Sequence, residues 1–454
     1  MSSASPRSRR PLLVAPALAA FTVLLLFGVQ SWVWLGADGS SLSSAGLRAD
    51  ASQARAGRPA EQPMQQPGPA ASPEAGRLTL PWLARGHPTP APKPSTPPPA
   101  GPAVLQGLAS AIEVVQGIAY IGAGTVLQVV DVRDPRDPRL LGRSTAPDGL
   151  GKTFVAQEIV VAGTTAYMIS MDEGAELTRV ADNSVLLVFD VANPAAPRLV
   201  QDLGLTDIAY VLFMQGDWLY VGGVRAAGDS KPRAGLLTFD ASQFPLQAGP
   251  WVDTDILAID TARLDAQHMV LAGAVIDDTL DERASLGVWN FSQPGRPEKL
   301  QSWIGSEGGS TWLNSITILQ GRVYAIGSRY MQVLDVSRSD EIHVVAEVQV
   351  EGQRRCDPGF IASTGTVAAA LGHCSIEGNA LFTIPPLEEG SGGKLTIPSL
   401  GLIAFSMGDL KRFTKPIARE GDLLYILANA IGGDTFRVVD VSQPDAPVVI
   451  GRLR

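Results

Sequence analysis

The chain has 454 residues, a formal net charge of −9 at pH 7 and an aromatic content of only 6%. This acidic balance argues against a nucleic-acid partner, because proteins that bind phosphate backbones need clustered lysine and arginine. The 47 glycines and 34 prolines favour turn-rich β structure over a helical bundle. The two cysteines are too few to form a four-cysteine zinc site.

The N-terminal segment predicts a membrane anchor. Residues 11–37 carry no charge, and their apolar core is long enough to cross a bilayer as a helix. Residues 1–10 contain three arginines, whereas no basic residue follows the apolar run until Arg48. This asymmetry predicts a cytoplasmic N-terminus and a single-pass protein of the cell membrane whose remainder is extracytoplasmic. The alternative is a cleaved signal peptide and secretion, although the apolar run is longer than such peptides usually carry.

Residues 38–101 predict a disordered linker. They are rich in Ala, Pro, Gly and Ser and contain too little apolar surface to fold alone. The stretch PTPAPKPSTPPPAGP (88–102) is typical of a stiff polyproline II rod. The linker is expected to hold a globular domain, residues 102–454, away from the membrane.

A sequence motif recurs through residues 102–454. It is clearest in VVDVRDPRDPRLLG (129–142) and VVDVSQPDAPVVIG (438–451), where an apolar strand ends in Asp before a turn with proline. The acid or its amide occupies this place in six copies: Asp131, Asp190, Asp240, Asn290, Asp335 and Asp440. We expect each side chain to accept hydrogen bonds from the backbone of its turn. The interval from Asp335 to Asp440 is about twice the others. A degenerate copy is therefore expected between these two residues, with NALFTIPPL (379–387) as the candidate.

Each copy also has an upstream strand–turn–strand unit, usually with glycine at the turn. These glycines are Gly117, Gly163, Gly216, Gly321, Gly365 and Gly421. In the fourth copy DAQ (265–267) takes the place of the glycine turn. Four-stranded units of about 50 residues, repeated about seven times, predict an all-β protein with a β-propeller fold. Six or eight blades are the alternatives, and the strand-like segment PAVLQGLA (102–109) is expected to join the last blade and close the ring.

The motif resembles that of the LVIVD repeat family of bacterial and archaeal extracytoplasmic proteins. The resemblance covers most of residues 104–454 and is strong in the first, second, fourth and last copies. It implies a propeller at the cell surface. The family carries no agreed activity and no catalytic motif that can be transferred to this chain.

No catalytic, metal or cofactor site is predicted. The histidines outside the linker lie in separate copies without metal-ligand spacing, and the chain lacks a nucleophile elbow, a P-loop and a dinucleotide fingerprint. The first hypothesis is therefore a binding or scaffold module, without catalysis, for a protein or a cell-envelope polymer. The alternative is a hydrolase or lyase that acts in the central channel. Convergent carboxylates, histidines or a metal in the channel would favour the enzyme, and the sequence offers no such set.

A partner site is predicted on the face that carries the loops between second and third strands and the connections between blades. There the Gly-rich segment SWIGSEGGSTWLN (302–314) brings two indoles beside the acidic loops at 171–183 and 274–285. The candidate residues are Trp303, Glu307, Trp312, Asp172, Glu173, Asp277 and Asp278. The alternatives are that both indoles pack between blades and that the acids form a solvated face. Calcium binding by these acids has no support from an EF-hand-like spacing.

The two cysteines predict a disulfide. Cys356 and Cys374 flank the turn TGT (364–366), so that strand register places them opposite each other in the sixth blade. An extracytoplasmic location would allow the bond to persist. Two buried free thiols are the alternative.

Overall fold

The structure is a computed structural model, and it describes most of the region predicted to be globular. The described residues are 105–147, 154–172, 184–205, 207–225, 233–276, 282–293, 295–306, 312–327, 331–337, 341–350, 356–374, 378–387, 393–397, 403–404, 414–428 and 435–453. The predicted cytoplasmic tail, anchor and linker lie outside these ranges. Within them, no helix is long and apolar enough to span a membrane.

The strands form seven sheets that follow one another along the chain, as the repeat predicts. Blades 1 to 4 contain β1 to β16, four consecutive strands in each: Ala109–Val115, Ile118–Ala123, Val126–Asp131, Arg139–Arg143; Phe154–Ala162, Thr165–Asp172, Ser184–Asp190, Arg198–Leu205; Ile208–Gln215, Trp218–Arg225, Arg233–Asp240, Ala248–Asp253; Leu257–Arg263, His268–Ile276, Glu282–Asn290, Glu298–Ile304. Blades 5 to 7 contain β17 to β29: Leu313–Leu319, Arg322–Gly327, Met331–Asp335, His343–Val350; Cys356–Ser363, Ala368–Cys374, Gly378–Ile384, Gly393–Ile397, Ile403–Ala404; Ile417–Glu420, Leu423–Leu427, Phe436–Asp440, Val448–Leu453. The fold is an all-β propeller with seven blades, which removes the alternatives of six or eight.

The first strands of the blades surround a central channel and close into a ring. Each first strand contacts the first strand of the next blade, and β26 contacts β1. The turns between first and second strands and between third and fourth strands define the hairpin face, for example at 116–117 and 132–138. The connections between second and third strands and between blades define the loop face, for example at 124–125 and 254–256.

Apolar side chains fill every interface between neighbouring blades. Seven buried clusters occur, and each one combines residues from two adjacent blades, including blades 7 and 1. The third strands contribute side chains to the apolar clusters on both sides of their blade. A strand such as β7 is therefore buried along almost its whole length. This double burial explains why the third strands read as continuous apolar runs rather than as alternating patterns.

The ring closes differently from the sequence expectation. The seventh sheet consists of β26 to β29 alone, and residues 105–108 form no strand, so the predicted pairing of segment 102–109 with the last blade is wrong. The C-terminal strand β29 already occupies that position beside β28. Leu105 packs instead against Phe436 and Leu453 in the apolar cluster between blades 7 and 1. Closure therefore relies on packing in addition to backbone hydrogen bonds between the inner strands.

The motif acids close the turns of the hairpin face as predicted. In six blades the side-chain Oδ1 accepts a hydrogen bond from the backbone N–H two residues later, over 2.8 to 3.1 Å: Asp131, Asp190, Asp240, Asn290, Asp335 and Asp440. In blade 4 the Asp265 carboxylate accepts the N–H groups of Gln267 and His268 and so replaces the glycine turn. Elsewhere the turn glycines have positive φ, for example 73° at Gly117.

Blade 6 is the irregular blade. Its third strand β23 contains most of the predicted degenerate copy, but that strand ends in Ile384 and proline follows instead of a motif acid. The next segment, β24, leaves the blade and pairs in parallel with β20 of blade 5, while the two-residue β25 completes blade 6. Strand register places Cys356 opposite Cys374 in this blade. The side chains of both cysteines lie outside the described part, so the disulfide stays a prediction.

Candidate functional site

The inner strands share a β-bulge at the same depth in the channel. Six of them insert one extra residue against the second strand: Ser110, Gln157, Tyr210, Ile259, Asn314 and Gly359. A bulge bends its strand and redirects the adjacent side chains. Four of these six residues line a small cavity of about 10 Å³ between the inner strands. That space holds about one water molecule.

A three-residue ion network lies in the wall of this small cavity. The Nζ atom of Lys415 lies 2.6 Å from Oε1 of Glu158 and 3.5 Å from Oδ1 of Asp260. The carboxylate side chains are only 7% and 8% exposed, whereas the lysine side chain is 37% exposed. One ammonium thus lies between two buried carboxylates at the centre of the ring.

The two carboxylates also connect neighbouring blades. Glu158 and Asp260 occupy the same position, directly after the bulge. The second oxygen of Glu158 accepts the Leu212 N–H of blade 3 at 2.7 Å, and the second oxygen of Asp260 accepts the Ile316 N–H of blade 5 at 2.8 Å. Ser315, at the equivalent place in blade 5, accepts the N–H of Ile361 in blade 6 at 3.2 Å. These side chains therefore have a structural role in the ring.

Lys415 enters the channel because its backbone lies between two blades. Its N–H donates to the Gln157 carbonyl and its own carbonyl accepts the Ile112 N–H, both over 3.0 Å. Burial acts to lower the pKa of Lys415, but Glu158 and Asp260 outweigh it, so the ammonium has a pKa above its ordinary value. Burial raises the pKa of Glu158, and the charge of Lys415 opposes that rise. The lysine is held charged as the counter-ion of the network.

A cavity opens from the network towards the hairpin face. Its volume is about 540 Å³, and the C-terminal halves of the inner strands form its wall. The charged side chains in the wall are Glu113, Arg263, Lys415, Arg419 and Glu420. Burial raises the pKa of Glu113 to about 7, with the neighbouring charge of Lys415 acting against this shift. The cavity therefore contains a carboxyl group that titrates near neutral pH.

A second concave site lies on the loop face, between blades 3 and 4. This loop-face groove has a volume of about 370 Å³ and includes Arg233, Asp253, Asp255, Leu257 and Val275 in its wall. Its apolar side belongs to a buried cluster of Ile208, Tyr210, Val224 and Leu257. Met171 and Trp312 pack against the same cluster, from blade 2 and from the entry to blade 5.

The structure places the predicted partner residues in different surroundings. Trp312 is partly buried against the cluster that contains Val224 and Leu257 of the groove wall, and Asp172 follows Met171 at the end of β6. Trp303 lies on β16, where it packs against the apolar cluster between blades 4 and 5, away from that groove. Glu173, Asp277, Asp278 and Glu307 lie outside the described residues. Among the described residues, no group of three or more His, Cys, Asp or Glu side chains is arranged to hold a metal ion.

Sequence reasoning missed the group of charged residues in the channel. The expectation that no convergent carboxylates occur in the channel is wrong, because Glu113, Glu158 and Asp260 all lie around Lys415. One signal was available: an acid interrupts an apolar inner strand in VAQEIVV (155–161) and LAIDTAR (257–263). Lys415 lies outside every recognised copy of the motif and had no such signal.

These features define the class of protein: a seven-bladed β-propeller with an ion network of Glu158, Asp260 and Lys415 between its inner strands. The family model for the LVIVD repeat matches residues 106–145 and 178–203, which include the motifs of blades 1 and 2. This confirms the resemblance seen in the sequence. Among curated proteins, no sequence matches the chain.

Solved structures with a similar fold have little sequence in common with the chain. Hsv2 of Kluyveromyces lactis is 10% identical over 76% of this chain and 98% of its own, with a TM-score of 0.45. A hypothetical selenium-binding protein from Sulfolobus tokodaii is 12% identical over 63% of this chain and 78% of its own, also with a TM-score of 0.45. Function is therefore inferred from the residues of the chain itself.

Proposed function

We propose that this protein is a binding or scaffold module without a catalytic role, and that it recognises a macromolecular partner at the loop-face groove. The observation that carries this proposal is the position of Trp312, which packs against the apolar cluster that supplies Val224 and Leu257 to the wall of a concave groove of about 370 Å³. Aromatic side chains beside such concave surfaces often dominate the energy of protein interfaces. The loop at 274–285 begins in the groove wall at Ala274, and the loop at 171–183 begins at Met171, which packs against the same apolar cluster as Trp312.

The expected setting is the outer surface of the cell membrane. The apolar segment 11–37 and the positive charges before it support a single-pass anchor with the propeller on the extracytoplasmic side. A protein or a cell-envelope polymer is then the available partner. The net charge of −9 does not favour nucleic acid.

The second candidate function is a hydrolase or lyase that uses the channel. Glu113 supports it, because a carboxyl group with a pKa of about 7 beside a cavity is suited to general acid–base catalysis. The other acids of the channel favour binding instead, since Glu158 and Asp260 are occupied by backbone N–H groups and by Lys415. A binding role requires no further catalytic group, and we therefore prefer it.

The test is capture of the partner by the full chain, solubilised in detergent and immobilised, from a cell-envelope extract. Trp312→Ala is expected to weaken capture about 30-fold, which corresponds to about 2 kcal/mol, while the melting temperature changes little. Trp218→Ala is the matched control, because Trp218 is a partly buried indole at the start of β10, on the hairpin face. A fall in melting temperature with intact capture in Trp312→Ala would mean that the indole is a core residue and that the site lies elsewhere.

A further inference from the structure

We propose that the outer edge of blade 4 pairs with the same edge of a second copy of this chain, so that two propellers share one continuous β-sheet. The contact is formed by β16, the fourth strand of the blade, in an antiparallel arrangement about a two-fold axis at Ser302. This edge is separate from the loop-face groove, and the inference does not depend on the proposed function. The backbone groups, the exposed side chains and the self-complementarity of β16 carry it.

The outer strand of blade 4 has an open edge. β16 is the last strand of its sheet, and no described residue pairs with its outer side. On the inner side the Gly305 N–H donates to the Ala284 carbonyl of β15 at 2.8 Å. Hydrogen-bonded and non-hydrogen-bonded positions alternate in an antiparallel pair, so the N–H and C=O groups of Ser302 and Ile304 point away from β15. These groups can therefore bond to a further strand.

β16 lacks the features that protect the other outer strands. Its last five residues, LQSWI (300–304), contain no charge and no proline. Proteins usually prevent pairing at a sheet edge with charged side chains, proline, a covering segment or a very short strand. One of these features occurs at each other outer strand described here: Arg139 and Arg143 in β4, Asp202 in β8, Pro250 in β12, the added strand β24 beside β20, the two-residue length of β25, and Arg452 in β29. Among the described outer strands, β16 is therefore the best suited to pair.

One face of β16 exposes apolar side chains. Leu300 and Ile304 are 46% and 43% exposed, and Ser302 is exposed between them. These three side chains share a face because side chains alternate along a strand, whereas Trp303 packs on the other face in the cluster between blades 4 and 5. In β8 of blade 2, Asp202 occupies the place equivalent to Ser302. Blade 4 thus has a small neutral residue where blade 2 has a charge.

Two copies of β16 match each other in one antiparallel register. With the two-fold axis at Ser302, Leu300 of each copy lies opposite Ile304 of the other, and Ser302 lies opposite its own copy. Glu298 and Lys299 then lie opposite uncharged residues, so that no like charges meet. Moving the axis back by one residue would place Ile304 opposite Glu298 instead. Since apolar cross-strand pairs stabilise a sheet and a two-fold axis is the commonest symmetry of oligomers, a second copy is the partner that fits this edge.

Sedimentation of the full chain in detergent, over a series of protein concentrations, tests the proposal. The wild type should show a reversible equilibrium between monomer and dimer in the micromolar range, because an interface built on one strand edge is small. Ser302→Asp places two like charges opposite each other and should weaken self-association at least about tenfold, while the melting temperature changes little. Val200→Asp is the matched control, because it adds the same charge to the exposed face of the outer strand of blade 2. It should leave self-association unchanged.

Cysteine cross-linking tests the register of the pair. In a variant with Cys356 and Cys374 replaced by alanine, Ser302→Cys should form a disulfide-linked dimer under mild oxidation. Opposite residues at a hydrogen-bonded position have Cα atoms about 5.5 Å apart, a distance that a disulfide can span. Gln301→Cys, whose side chain lies on the other face of the strand, should not form this dimer.

The proposal is overturned if the chain stays monomeric at every concentration, if Ser302→Asp associates as strongly as the wild type, or if the cross-link forms at Gln301→Cys instead. A monomer in which the Ser302 and Ile304 amides exchange slowly with solvent would also overturn it, because another segment of the same chain would then cover the edge. Capture of a macromolecule at Trp312 has no part in any of these outcomes.

Discussion

The turns at the rim of the hairpin face and the inner strands at the centre of the channel belong to the same repeated blade. Their side chains differ in how regularly they recur from blade to blade. On the rim, six blades carry Asp or Asn at one position, and all six side chains make the same hydrogen bond to the turn. In the channel, the position after the bulge differs from blade to blade: Ala111, Glu158, Val211, Asp260, Ser315 and Phe360. Repeated contacts stabilise each blade separately, whereas the ion pairs of Lys415 occur once and connect segments that are distant in sequence. A single change should therefore have a small effect on the rim and a large one in the channel.

The largest effect is expected when the counter-ion of the channel is removed. Lys415→Met leaves Glu158 and Asp260 without their ammonium, and breaking a buried ion pair on one side costs about 3–5 kcal/mol. Denaturant unfolding should show a loss of that order in the free energy of unfolding. The control is Lys299→Met, since Lys299 pairs with Asp255 at the surface, where such pairs contribute about 0–1 kcal/mol. Equal losses in both variants would contradict the special role of the channel.

The next effect concerns blade 6, the blade without the motif acid. A disulfide between Cys356 and Cys374, which strand register places opposite each other, would close a short loop and contribute up to about 3 kcal/mol. Reductant should lower the melting temperature of the wild type but not that of a variant with both cysteines replaced by alanine. Alkylation of the unfolded, unreduced protein gives the direct answer. Two modified thiols per chain would exclude the bond.

Glu113 should make stability depend on pH in the direction opposite to an ordinary ion-paired acid. Its pKa is about 7 in the folded protein, against about 4.3 in an unfolded chain. The folded state binds this proton more tightly, so stability falls as the pH rises from about 4 to about 7, by about 1–3 kcal/mol. Glu113→Gln should remove this part of the pH dependence. Glu298→Gln, at an exposed site on β16, should leave it unchanged.

The smallest effect is expected on the rim. Asp190→Ala removes the hydrogen bond from the Ala192 N–H and should cost about 1 kcal/mol. Asp202→Ala, at an exposed place on β8 of the same blade, is the control. The hydrogen bonds from Arg198 and Ala192 lower the pKa of Asp190, so its contribution is present above about pH 4 and is lost as the pH falls. A loss in the free energy of unfolding as large as that of Lys415→Met would contradict the small effect expected for the rim.

Much of the fold could be predicted because its signals are local and periodic. The motif acids gave the blade period, the turn glycines marked the hairpins, and the gap before Asp440 located the degenerate copy that contains most of β23. The register of Cys356 and Cys374 also followed from one short turn. The predicted strand from segment 102–109 failed, because β29 was already the neighbour of β28. A strand-like sequence does not show which sheet edge is free to pair with it.

The sequence by itself determined that the chain forms a propeller of four-stranded blades, because most blades repeat the same pattern of strands, turn glycine and motif acid. Only the tertiary structure decided what meets in the channel. Lys415 and Glu158 are 257 positions apart, and they face each other only because ring closure brings blade 7 against blades 1 and 2. The position of β24 was also decided by the tertiary structure, because this strand pairs with the edge of blade 5 instead of its own blade. Contacts between non-repeated residues depend on the closed ring, and no local pattern in the sequence encodes them.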